Sequence, residues 1–130
     1  PQLLDELIKQ AIKDYKNAIP LFEYCVSNGK KYTASVFNDA LLKLADSYNK
    51  NGMPKKTISL FDKINKDDVG SLPYYLLMSY TGDAYKDLKE YKKAYDLYCE
   101  VLSSGEKSLS ANALKKAYKL KLPDKEQPAK

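Results

Sequence analysis

The chain has 130 residues, 44% of them hydrophobic and 30% charged, a globular composition that excludes wholesale disorder and collagen-like structure. It contains no His, which removes the usual general base, the commonest metal ligand and the near-neutral pH switch. All 22 cations are Lys, giving a formal net charge of +5 with no Arg to make bidentate contacts to phosphate or guanine.

Helical periodicity runs along the whole chain. Leu3, Leu4, Leu7, Ile8, Ala11 and Ile12 recur at three- and four-residue steps and predict a first amphipathic helix. Asn17 is placed to cap a second, whose apolar face is Ala18, Ile19, Leu21, Phe22, Cys25 and Val26; Pro20 falls in its first turn, where a missing N–H does little harm. Ser27-Asn28-Gly29 should close it, with Gly29 as a left-handed cap. A third helix is expected over 34–50, ending at Asn51-Gly52, and a fourth from Pro54 carrying Ile58, Leu60, Phe61 and Ile64. The stretch 65–72, with Asp67, Asp68 and Gly70, reads as a polar loop. Pro73 opens a helix to about Leu88, Tyr91 another to about Leu102, and Ser103-Ser104-Gly105 stops it. A last helix over 108–120 holds Ala111, Leu114, Ala117 and Tyr118, before a polar tail, 123–130. No segment alternates with a period of two, so a sheet is not expected.

Two segments align with each other. Ala45, Tyr48, Thr57, Phe61 and Ile64 sit over Gly82, Tyr85, Ala94, Tyr98 and Val101, with identical internal spacings of three, nine, four and three. This pattern resembles the tetratricopeptide repeat, which puts a small residue and an aromatic on helix A and small–aromatic–small positions on helix B. Small residues let the two helices approach closely while the aromatics fill the space between units. The offset is 37 residues instead of the expected 34, Thr57 stands for Ala, and the terminal Pro is absent near Val69 and Glu106. Tyr15, Ala18, Phe22 and Cys25 fit a helix B at the N-terminus, and Leu114 and Tyr118 suggest a further helix A as a C-terminal cap.

The resemblance implies an all-α chain of antiparallel helix pairs stacked as a short right-handed solenoid of about seven helices. One domain over 1–122 would hold pairs at about 2–28, 34–65 and 73–104 and a cap at about 108–120. The start at Pro1 inside an already apolar helix reads as an excised domain. It also implies a non-enzymatic interaction scaffold that binds a peptide or helix of a partner protein on its concave face. By register that face carries Asp39, Leu42, Lys43, Asp46, Asn49 and Lys50 in one unit, and Leu76, Ser79, Tyr80, Asp83, Lys86 and Asp87 in the next. The groove lacks the Lys/Asn/Arg arrangement with which some relatives hold a chaperone tail. Tyr80, Asp83 and Asp87 share one helix face by spacing, opposite Lys43, Asp46 and Lys50, with Tyr80 as anchor. The runner-up is an RNA-binding module, because 17–23 and 58–62 also resemble the second helix of a pentatricopeptide repeat. A structural piece of a larger assembly, its groove filled by its own chain, is the third reading.

Other chemistry has weak signals. Asp67 with Asp68 reads as a loop or cap, and Asp83 with Asp87 is a carboxylate pair one turn apart. Lysine pairs at 30–31, 55–56, 92–93 and 115–116 read as solvated surface, with a shared anion site as the alternative. Cys25 and Cys99 lack CxxC spacing and occupy helix B positions, so two small core hydrophobes in a reducing, cytoplasm-like compartment are expected. Tyr74, Tyr75 and Tyr80 crowd one helix and point to surface contact. No cofactor, metal or membrane insertion is expected, since no apolar run approaches the roughly 18 residues of a span and no charged-then-apolar opening resembles a signal peptide.

Overall fold

The computed structural model describes Glu6 and residues 18–120. The expected first helix around Leu3–Ile12, the Asn17 cap and the tail 123–130 lie outside the described residues. Seven α-helices follow in order: α1 (Ile19–Ser27), α2 (Ala34–Lys50), α3 (Pro54–Asp62), α4 (Lys66–Val69), α5 (Ser71–Asp87), α6 (Tyr91–Ser103) and α7 (Lys107–Lys119). A 3-10 turn, Gly29–Lys31, links α1 to α2. The described residues contain no strand.

Local chemistry sets most of these boundaries. Thr33 caps α2 by accepting a hydrogen bond from the Val36 amide at 3.2 Å, and Pro54 occupies the first turn of α3. The A-to-B turns of the two aligned units close in the same way. Gly52 (φ +72°) and Lys89 (φ +63°) hold the left-handed position. In each unit that residue and the next donate to carbonyls three and five residues back: Gly52 to Asn49 and Met53 to Tyr48, then Lys89 to Lys86 and Glu90 to Tyr85. This is the paired bonding of a Schellman motif. A lysine ammonium also lies over the helix A tyrosine in both units, Lys56 over Tyr48 at 5.7 Å and Lys93 over Tyr85 at 5.5 Å.

The long helices α2 and α5 pack side by side, each against its own partner, α3 or α6. Successive units interlock because α2 also packs on α1, α5 on α3, and α7 on α6. The core is divided accordingly. One cluster joins Phe22 and Cys25 of α1 to Ala40, Leu41, Leu44 and Ala45 of α2, Leu60 of α3 and Leu77 of α5. Smaller clusters join Met78, Val101 and Ala113, and Ala94, Tyr98 and Ala117. Gly82 shows why helix A needs a small residue here: a Cβ built on it would lie 2.6 Å from Tyr98 Cε1.

Four expectations are corrected. Residues 65–72 are not a loop: the one-turn helix α4 drives Val69 into the core, where its carbonyl accepts from Asn38 Nδ2, and α5 begins at Ser71, ahead of Pro73. Gly29 is not a left-handed cap; it opens the 3-10 turn, and a Cβ there would strike the Phe37 ring at 2.6 Å. On α7 the buried residues are Ala113 and Ala117, while Leu114 and Tyr118 are 60% and 80% exposed and Ala111 is exposed. Cys25 is buried as expected, whereas Cys99 is only half-buried. Burial pushes the Cys99 thiol up, so it is held as the protonated thiol.

Candidate interaction surface

The face formed by the A helices is read residue by residue from α2 to α5. Asp39, Lys86 and Asp87 are exposed, and Leu76 and Tyr80 are half-buried. Asp46 pairs with Lys50 one turn on, at 3.3 Å, an ion pair at the surface that contributes little to stability. Lys43 supplies its carbonyl to the Ser47 hydroxyl at 2.6 Å. Tyr80 packs on the same cluster as Leu41 and Leu77, so its ring belongs partly to the core. Tyr74 and Tyr75 are also half-buried; the rings meet edge-on at 5.4 Å, and Tyr74 packs on Phe61 at 5.3 Å. The crowding of tyrosines thus serves the α3–α5 junction.

Two polar clips explain the remaining expected residues. Asn49 donates through Nδ2 to the Tyr80 carbonyl at 2.9 Å and accepts at Oδ1 from the Thr57 hydroxyl at 2.8 Å. That bond satisfies a fully buried Thr57 where the repeat pattern expects Ala. One side chain therefore ties together α2, α3 and α5. In the second unit Ala94 removes the hydroxyl, and Lys86, at the position of Asn49, is exposed. There the junction is ionic. Asp83 accepts from the Tyr98 hydroxyl at Oδ1 and from Lys116 Nζ at Oδ2, the latter at 3.0 Å. Lys116 also donates to the Ser79 hydroxyl at 3.1 Å. Burial, with the carboxylate of Asp83 second, pushes the Tyr98 phenol up, so it remains a donor through the neutral range.

These contacts correct the expected groove at three positions. Ser79 is only 3% exposed and lies under Lys116. Asn49 is spent on neighbouring helices. Asp83 does not join Tyr80 and Asp87 opposite α2 but turns to α6 and α7. Spacing sets Ser79, Tyr80, Asp83 and Asp87 along α5, yet it carries no signal for Lys116, whose partners lie 33 and 37 residues away.

One concavity lies beside the ionic clip. Lys86, Tyr98, Asn112, Lys115, Lys116 and Lys119 line it, and its volume is about 340 Å³. A larger, open hollow of about 570 Å³ lies by Tyr32, Phe37 and Asp68, between α1 and α2. No group of His, Cys, Asp and Glu among the described residues could hold a metal ion, and no helix there is long and apolar enough to cross a membrane.

Paired helices with repeated turns, a small-residue contact and interlocked units define a helical-repeat solenoid. The family model described as tetratricopeptide repeat matches residues 39–69, the segment from α2 through α4. Repeats of this family are generally non-enzymatic protein-interaction modules. The match falls on the unit in which Thr57 breaks the pattern, while 82–101 shows the same turn, small-residue and cation–π geometry. No curated protein and no solved structure matches the chain.

Proposed function

We propose that the chain is an interaction scaffold that takes a peptide or helix of a partner protein across the face made by α2, α5 and α7, within a larger protein or complex, in the cytoplasm. What carries this reading is the division of labour along helix A. Asn49, Ser79 and Asp83 hold the helices in place, while Asp39, Lys86 and Asp87 keep charges in solvent with Lys43, Asp46, Lys50, Leu76 and Tyr80 beside them. Mixed charge around apolar side chains suits a segment that is anchored by burial and placed in register by charge.

The test is selection from a displayed peptide library, with nuclease-treated and untreated samples compared. The expected result is enrichment of peptides whose binding is weakened by Asp39→Lys together with Asp87→Lys, two changes at exposed positions that leave the melting temperature unchanged. Sequence-dependent RNA binding that persists at moderate salt, with no peptide enriched, refutes the scaffold reading in favour of an RNA-binding repeat.

A further inference from the structure

We infer that the hollow between α5 and α7 is a docking pocket for the carboxylate side chains of an acidic peptide segment, and this rests on the scaffold reading above. Four lysines, Lys86, Lys115, Lys116 and Lys119, line a space of about 340 Å³. Of these four lysines, only Lys116 has an anionic partner among the described residues, Asp83. Lys115 and Lys119 stand one turn apart on α7 and repel each other, an arrangement that destabilises a free helix and that a bound anion relieves. Positive charge on a concave wall attracts an anion more strongly than the same charge on a flat surface.

The clip supplies rigidity. Lys116 is held from two sides, by Ser79 and Asp83, and its ammonium lies 5.8 Å over the Tyr98 ring, so one wall is fixed before any ligand arrives. Lys86, Lys115 and Lys119 are exposed and can close on a ligand by rotamer changes alone. Asn112 adds a neutral amide able to bond a peptide group.

Peptide carboxylates fit this site better than a nucleic acid backbone does. The volume is at the lower end for a ligand pocket and suits one or two side chains, not a run of phosphates. Asp83 pairs with Lys116 of the lining and Asp87 follows Lys86 on the same helix, which opposes a continuous polyanion.

The experiment measures binding of a fluorescent ten-residue Glu/Asp-rich peptide, its Gln/Asn analogue and a single-stranded oligonucleotide of equal charge. The acidic peptide should bind and its amide analogue should not. Lys115→Gln with Lys119→Gln should weaken the acidic peptide about tenfold, as expected for loss of two solvent-facing charge contacts. Lys30→Gln with Lys55→Gln removes the same net charge elsewhere and should have little effect. Equal loss in both double variants overturns the site, since the attraction is then one of net charge. Tighter binding of the oligonucleotide, lost with Lys115 and Lys119, overturns the choice of peptide. Library peptides that bind but are neutral and insensitive to Lys115 and Lys119 overturn this pocket while leaving the scaffold reading intact.

Discussion

Gly82→Ala is the sharpest test of how the helices meet, because two effects of opposite sign compete. Replacing a helix-interior Gly by Ala ordinarily stabilises by about 1 kcal/mol through backbone entropy. Here the added Cβ would lie 2.6 Å from Cε1, 3.0 Å from Cδ1 and 3.1 Å from Cζ of Tyr98. That ring cannot swing away, since it is fully buried and its hydroxyl is fastened to Asp83. Overpacking of a fixed core costs about 1–3 kcal/mol, and loss of the Tyr98–Asp83 bond adds roughly 1 kcal/mol more. The net expectation is destabilisation by about 1–3 kcal/mol, a fall of roughly 4 °C or more in melting temperature at this chain length. Urea unfolding with an unchanged slope would assign the loss to the native state. The aligned change in the other unit, Ala45→Gly, should cost about 1 kcal/mol by propensity alone. A Gly82→Ala variant that is more stable than the parent refutes the close A–B contact.

Two further outcomes follow from the same structure. Lys89→Gly should stabilise by about 0.5–1 kcal/mol, because relief at a left-handed position outweighs the extra freedom of the unfolded chain; Gly52→Ala should cost a similar amount, and effects of the same sign in chemical denaturation would refute the shared turn geometry. Burial pushes the phenols of Tyr48 and Tyr98 up, with Glu23 and Asp83 as their respective acceptors. Above pH about 10 the unfolded chain therefore loses phenol protons that the folded chain retains, so stability is full below that value and falls above it. Thermal unfolding from pH 8 to 11 checks the sign, and Tyr98→Phe should flatten the fall.

The helices were legible because their signals are local. Pro54 and Tyr91 begin α3 and α6 where expected, and the small-to-aromatic spacing located the sites of close contact at Ala45, Gly82 and Ala94. The failures have a common origin in tertiary contacts. Asn65–Gly70 has the residue types of a loop, but burial of Val69 and the Asn38 bond to its carbonyl select a helical turn. Gly29 was legible as punctuation, yet its role is set by the Phe37 ring and not by its own φ. The concave register rests on periodicity, which places residues on one face of a helix. It could not tell which of them a neighbouring helix uses, and that decided Ser79, Asn49 and Asp83.

The two junctions differ in a way that bears on where recognition is concentrated. The first is closed by uncharged groups, Thr57, Asn49 and the Tyr80 carbonyl, and it consumes the polar side chain that would otherwise face a ligand. The second exchanges Thr57 for Ala94 and Asn49 for Lys86, which releases that position to solvent and shifts closure about one turn back, to Asp83. Uncharged bonds are little affected by salt, whereas a pair that is about a quarter exposed at both ends, as Lys116 and Asp83 are, weakens as ionic strength rises. The second junction therefore joins the more adjustable packing to the denser positive charge. A ligand that supplies carboxylates there acts on the joint between α5 and α7 as well as on the surface, so its binding should tighten the C-terminal unit and leave the α1–α3 unit unchanged. Amide exchange would register this as slowed exchange confined to α5, α6 and α7 in the presence of the acidic peptide. Uniform protection across the chain would mean that the peptide stabilises the fold without using that joint.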